Sequence, residues 1–310
     1  MRSPVVYVRM ILTMRKTCAA LAVVALLAGG ACSDDDGGPD AGTGKIEVVT
    51  SFYVLSEVAA AIGGDLANVH NLTPPGTEPH DVELTSGQVD RIEDADAVIY
   101  LGGGFQPAIE DAVERRGRDK VSIDVLSAVP DDQVRDDDPH IWLAPDLLRA
   151  AVNGVRDALG DADPDNAVTY TERAEAYQQQ LVALDAEMRE GLAACERKMI
   201  VTAHEAFHYL ATQYGLEQKA ISGLSPESEP EGDRLSELAD EIERTGATTV
   251  FTEELASPKT ADALAREAGV TTAVLDPVEG LSDTKRRAGA TYFTVMRENL
   301  EALRTALGCT

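Results

Sequence analysis

The sequence predicts an α/β protein of two lobes, each a parallel sheet flanked by helices, joined by one long rigid helix. Three observations carry this expectation. Short β-branched runs alternate with longer helical patterns from about residue 45 to the end, the order expected of repeated βα units. The 310 residues suffice for about two domains at roughly 150 residues each. One uninterrupted helical pattern sits between the two series of strands.

In the first series, strands are expected at Ile46 to Thr50, Val69 to Thr73, Ala97 to Leu101 and Val121 to Asp124. Helical patterns fall near 52 to 63, 85 to 94, 106 to 115 and 145 to 159. The linking helix is expected over about 164 to 191, with Asp163 before it and Pro164 in its first turn. Tyr170, Ala174, Tyr177, Leu181, Leu184 and Met188 follow one another at steps of four and three, a single apolar stripe on a straight helix. Such a helix limits how far two lobes can swing. The second series has strands near Met199 to Thr202, Lys219 to Ser222, Thr249 to Thr252 and Thr272 to Leu275. The chain therefore divides into an N-terminal lobe over 45–162, a linking helix over 163–191 and a C-terminal lobe over 192–310.

Residues 1–31 stand outside this pattern. Arg15 and Lys16 precede an apolar run from Ala19 to Ala28, and small residues then lead to Cys32, as in an export signal. The segment resembles a bacterial lipoprotein signal with Cys32 as the lipidated residue, although Gly29 stands where an aliphatic side chain is usual; Met14 is an alternative start. Residues 32–44 lack large apolar side chains and read as a flexible tether. With Cys32 lipidated, Cys195 and Cys309 remain in the exported part as an even pair in an oxidising compartment, which predicts a disulfide.

Charge narrows the partners. The chain has 54 acidic and 27 basic side chains, a net charge of -27. Removing Arg2, Arg9, Arg15 and Lys16 with the signal takes four from 27 and leaves 23 basic residues. Such a surface repels nucleic acid, so none is expected as a partner, and it favours cations.

Three of the five histidines follow expected strands or lie in loops between elements: His80 in PPGTEPHD, His140 after an aspartate-rich stretch, and His204 directly after Met199 to Thr202. In open α/β sheets ligands bind beyond the carboxyl ends of strands. Asp276, at the end of the last expected strand, supplies a carboxylate. Three imidazoles and one carboxylate form a set suited to zinc. Glu253, after Thr249 to Thr252, is expected to accept a hydrogen bond from a ligating imidazole.

The segments GTEPHDVELTSGQVDRIEDADAVIYLGGGF, DPHIWLAP, VTAHEAFHYLATQYGL, FTEE and LDPVEG resemble the metal-binding lipoproteins of bacterial ABC transporters, in the zinc branch of the cluster that also contains manganese-binding members. The resemblance covers nearly all of the exported chain in matching order. It implies a metal held in the cleft between two lobes, with His80, His140, His204 and Asp276 as ligands. It implies extracytoplasmic capture of Zn(II), a lipid anchor in the membrane, and delivery to an ABC permease subunit by a protein that is not an enzyme; a monomer is expected. Manganese-binding relatives tend to carry glutamate where His204 stands, and a third imidazole shifts preference toward zinc over manganese or iron. Pro130 to Asp138 has five aspartates and no histidine, unlike the histidine-rich loop of many zinc-branch relatives.

Two other readings compete. His204-Glu205-Ala206-Phe207-His208 matches the HExxH pattern of a secreted zinc peptidase. A surface adhesin is the other. His70, within an expected strand, reads as structural.

Overall fold

In the computed structural model, which describes residues 44–135 and 138–310, two four-stranded parallel sheets are built from eight strands. The signal segment, the tether up to residue 43 and Cys32 lie outside the described residues. The first lobe runs β1 (Ile46–Thr50), α1 (Tyr53–Gly63), β2 (Ala67–Asn71), α2 (Ser86–Asp94), β3 (Ala97–Tyr100), α3 (Pro107–Arg116) and β4 (Val121–Asp124). Its strand order is β2-β1-β3-β4. Two helices that pack on each other follow, α4 (Pro145–Ala162) and α5 (Ala167–Leu192). The second lobe comprises β5 (Met199–Thr202), α6 (His208–Tyr214), β6 (Glu217–Ala220), α7 (Arg234–Thr245), β7 (Thr249–Thr252), α8 (Lys259–Ala268), β8 (Thr271–Val274), α9 (Asp283–Arg287) and α10 (Tyr292–Leu307). Its order, β6-β5-β7-β8, repeats that of the first sheet.

The long helix begins three residues later than its sequence pattern suggests. Pro164–Asn166 form a 3-10 turn, because Asp163 Oδ2 accepts from Asn166 Nδ2 at 2.7 Å and from the Tyr170 hydroxyl at 2.8 Å. The α-helical part has 26 residues and so spans about 39 Å at 1.5 Å per residue. The whole stripe from Tyr170 to Met188 is buried. Strands β2, β6 and β8 start one or two residues before their expected positions. Leu72, Ile221 and Leu275 still donate to Thr50, Thr202 and Thr252 just past the strand ends, so those apolar residues belong to the ladder's continuation.

One continuous apolar core joins both sheets through α1, α4, α5 and α10, and its largest fully buried members are Trp142, Tyr170, Tyr292, Phe52, Phe207 and Phe251. Smaller clusters lie under α2 and α3 on one side and under α7 and α8 on the other. Shared burial of this kind resists separation of the lobes, since opening them would expose apolar surface at about 25 cal/mol per Å². A disulfide joins Cys195 to Cys309 across 114 residues and ties the end of α10 to the start of the second lobe. No helix among the described residues is long and apolar enough to cross a membrane.

Candidate metal centre

Both sheets present their carboxyl edges to one cleft, and the candidate ligands stand on the loops beyond those edges. His80 lies in the loop after β2. The buried Gln106 at the start of α3 holds this loop, its Nε2 donating to Thr73 Oγ1 at 3.0 Å and to the Pro79 carbonyl at 3.1 Å. The His80 ring meets the edge of Phe105 at 4.7 Å between centroids. His140 directly precedes the 3-10 turn Ile141–Leu143. Asp138 Oδ1 accepts from both its backbone N–H at 3.1 Å and its Nδ1 at 2.9 Å. Asp138 is fixed in turn by Tyr209, whose hydroxyl donates to the Asp138 carbonyl. His204 follows β5, and Glu253, which follows β7, accepts from its backbone N–H at 3.2 Å and its Nδ1 at 2.6 Å.

Occupied Nδ1 positions leave Nε2 of His140 and His204 facing the cleft centre. There the fourth group is Glu279. Its Oε1 stands 3.4 Å from His80 Nε2, 3.2 Å from His140 Nε2 and 3.4 Å from His204 Nε2, while the last two nitrogens are 3.4 Å apart. A tetrahedral ion with bonds of about 2.0–2.1 Å has ligand–ligand edges of about 3.3–3.4 Å. The four side chains thus already sit at zinc-like spacing, and all their donor atoms lie within 4.8 Å of one another. His80 Nε2 and both Glu279 oxygens are buried without a hydrogen-bond partner, a costly arrangement that a cation resolves.

Asp276, expected as the carboxylate ligand, is placed elsewhere. Its Oδ2 accepts from Lys285 Nζ at 2.9 Å and its Oδ1 from the Val278 N–H at 2.8 Å, while Asn299 bonds its backbone on both sides. With both oxygens committed, Asp276 organises the turn instead of entering the cluster. Val278 takes φ +60°, the one non-glycine residue with positive φ among those described. That left-handed conformation is strained for a β-branched side chain, by about 1–3 kcal/mol. It reverses the chain so that Glu279, three residues beyond Asp276, points into the cleft.

The electrostatics are those of a proton-loaded binding site. Burial opposes ionisation of Glu279, but the imidazoles of His140, His204 and His80 hold its carboxyl well below the usual range. Burial alone would lower His204, yet the Glu253 and Glu279 carboxylates push it up to about 10. His140 is likewise raised against its burial by Asp138 and Glu279. Burial and the nearby Glu279 charge push Glu78 up to about 9.

The HExxH pattern does not form a zincin site. α6 begins only at His208, so His204 lies in the preceding loop and the two imidazoles do not share a helical face. His208 is not part of the cluster. His70 lies between Glu47 and Arg91 at 2.8 Å and 2.6 Å on the outer face of the first sheet, as a structural residue would. Of the residues around the metal cluster, Glu279 and Asp138 escaped the sequence reading. The Asp-x-His spacing before His140 is a usable signal for Asp138; Glu279 depends on a turn that no periodicity reveals.

Residues 48–306 match the family of ZnuA, the periplasmic component A of the zinc-uptake complex. The chain belongs to the ZnuA family. This ZnuA-family chain is 37% identical over 278 residues to the zinc-binding lipoprotein AdcA of Streptococcus pneumoniae serotype 4, covering 84% of the chain and 56% of that relative. The chain thus spans little more than half of the longer AdcA relatives. It is 33% identical over 292 residues to the high-affinity zinc uptake system protein ZnuA of Bacillus subtilis, covering 89% and 92% of the two chains. The crystal structure of the Zn(II)-bound ZnuA-like domain of Streptococcus pneumoniae AdcA superposes with a TM-score of 0.74 at 38% identity, covering 85% of this chain and 99% of that one.

Proposed function

We propose that this protein captures Zn(II) outside the cytoplasmic membrane and hands it to the permease of an ABC importer, with His80, His140, His204 and Glu279 as the ligands. The observation that carries the reading is the placement of three imidazole Nε2 atoms around one Glu279 oxygen at 3.2–3.4 Å, in a site where two of the rings are oriented by buried carboxylates. A third neutral nitrogen donor favours zinc over the harder manganese ion. Four protein ligands leave no open position for an activated water, so the site suits binding and release more than hydrolysis. A lipid on Cys32, a monomeric state and a division into lobes at 45–162 and 192–310 complete this reading. The ZnuA family membership and the zinc-uptake names of its relatives support it. The test is to purify the protein without chelator, measure its metal content and assay peptide hydrolysis. One zinc per chain with no hydrolysis is expected; hydrolysis abolished by Glu205→Gln would overturn the reading in favour of a peptidase.

A further inference from the structure

The two ligands closest to each other, His140 and Glu279, come from different lobes, 3.2 Å apart between Nε2 and Oε1. Something must set that distance, because the chain between them is long and Glu279 stands on an irregular loop with a strained residue at Val278. The candidate is Trp142, two residues after His140 and fully buried. Its indole Nε1 donates to the Pro277 carbonyl at 2.7 Å, two residues before Glu279. Its own carbonyl accepts from the Tyr292 hydroxyl at 2.7 Å, at the start of α10. The residue is therefore bonded to the second lobe at both its side chain and its backbone, while its ring packs at a tilt against Phe52 and Phe105 of the first lobe, with centroids 4.7 Å and 5.4 Å away.

We propose that Trp142 is a positioning residue for metal capture: its indole N–H holds the Pro277 carbonyl and, through the turn at Val278, fixes Glu279 against His140. The inference rests on the reading of Glu279 as a ligand. Asp276 restrains Val278 from one side through its N–H, and Trp142 restrains the same turn from the other through Pro277. With only one restraint left, Val278 can relax to an ordinary backbone conformation and carry Glu279 away from the imidazoles.

The test uses Trp142→Phe, Glu279→Gln and the double variant in the mature chain, with Co(II) as a visible probe of coordination and chelator competition for Zn(II) affinity. Phenylalanine keeps an aromatic ring and removes the donor. Trp142→Phe is expected to weaken zinc binding about tenfold, the loss of roughly one hydrogen bond's worth of positioning. Its Co(II) spectrum should shift in the direction of that of Glu279→Gln, and the double variant should bind within about twofold of Glu279→Gln alone. Wild-type affinity and spectrum in Trp142→Phe, or losses that multiply in the double variant, would overturn the proposal and leave Glu279 a ligand. A wild-type spectrum in Glu279→Gln would remove the ligand reading and the proposal together. Should Trp142→Phe not fold, replacing this one tryptophan of the chain with β-(3-benzothienyl)alanine keeps the bicyclic shape and removes only the N–H; a spectral shift toward that of Glu279→Gln is expected, and a wild-type spectrum overturns the proposal.

Discussion

In the proposed zinc site the metal has to displace a proton from His204, and Glu253, with Glu279, sets how tightly that proton is held. The imidazole is fully buried, with Glu253 Oε1 2.6 Å from Nδ1 and Glu279 Oε1 3.4 Å from Nε2, and its pKa is pushed up to about 10. Each unit by which that value exceeds the working pH weakens metal binding tenfold, about 1.36 kcal/mol, so this proton makes affinity rise by about a decade per pH unit through the neutral range. Glu253→Gln keeps the shape and removes the charge. Two effects then oppose each other. A neutral acceptor supports the ligand less well, and such outer carboxylates are typically worth about 10–100-fold in metal affinity, so the variant should bind more weakly above about pH 10. Its His204 should also lose the proton at lower pH, although Glu279 still raises it, so log affinity should stop rising at a lower pH than in the wild type and its slope between about pH 7 and pH 9 should be smaller. Chelator-competition titrations from pH 6 to pH 10, with calorimetry in buffers of different ionisation enthalpy, read both effects. An unchanged slope in the variant, or no proton release by the wild type near pH 7.5, would refute the reasoning.

Three further outcomes follow from the same geometry. In the metal-free protein the raised His204 contributes stability that is fully present below its unfolded value of about 6.5 and is lost as pH climbs through about 10, so the gain in melting temperature on adding zinc should grow over that window; a constant gain would contradict the assignment. Asp276→Asn should leave zinc affinity within a few-fold of wild type while lowering stability by about 1–3 kcal/mol, since it weakens the buried pair with Lys285, whereas His140→Ala should cost affinity at least a hundredfold; chemical denaturation and zinc titration separate the two. Reducing the Cys195–Cys309 bond should lower stability by up to about 5 kcal/mol for a 114-residue loop in the chain-entropy model, which thermal melting with and without reductant measures.

Much of this architecture is legible in the sequence, and the misses have physical causes. β1, β4, β5 and β7 fall where their β-branched runs lie. The edge strands β2, β6 and β8 read one or two residues late, because sequences such as Glu217–Ala220 and Thr271–Val274 are half-exposed and offer little apolar contrast, so the apolar residues just after them carry the stronger strand signal. His80, His140 and His204 are recognisable because each stands in a loop beyond the strands, where an open α/β sheet binds ligands. The carboxylate was harder. Asp276 occupies the obvious strand-end position, but its backbone N–H and both oxygens are spent on Asn299, Lys285 and the Val278 N–H. A β-branched residue in the left-handed region then delivers Glu279, and local propensity argues against that conformation. Glu253 was visible as a strand-end acidic residue, and the structure places it on Nδ1 of His204.

The most direct measurement is X-ray absorption at the zinc edge on protein carrying one zinc per chain. The expected result is a single shell of four nitrogen or oxygen ligands at about 2.0–2.1 Å, three of them imidazoles, with one imidazole lost in each of His80→Ala, His140→Ala and His204→Ala and the imidazole count unchanged in Glu279→Gln. A shell that keeps all three imidazoles in any of those histidine variants, or one that contains sulfur at about 2.3 Å, would contradict the site described by His80, His140, His204 and Glu279.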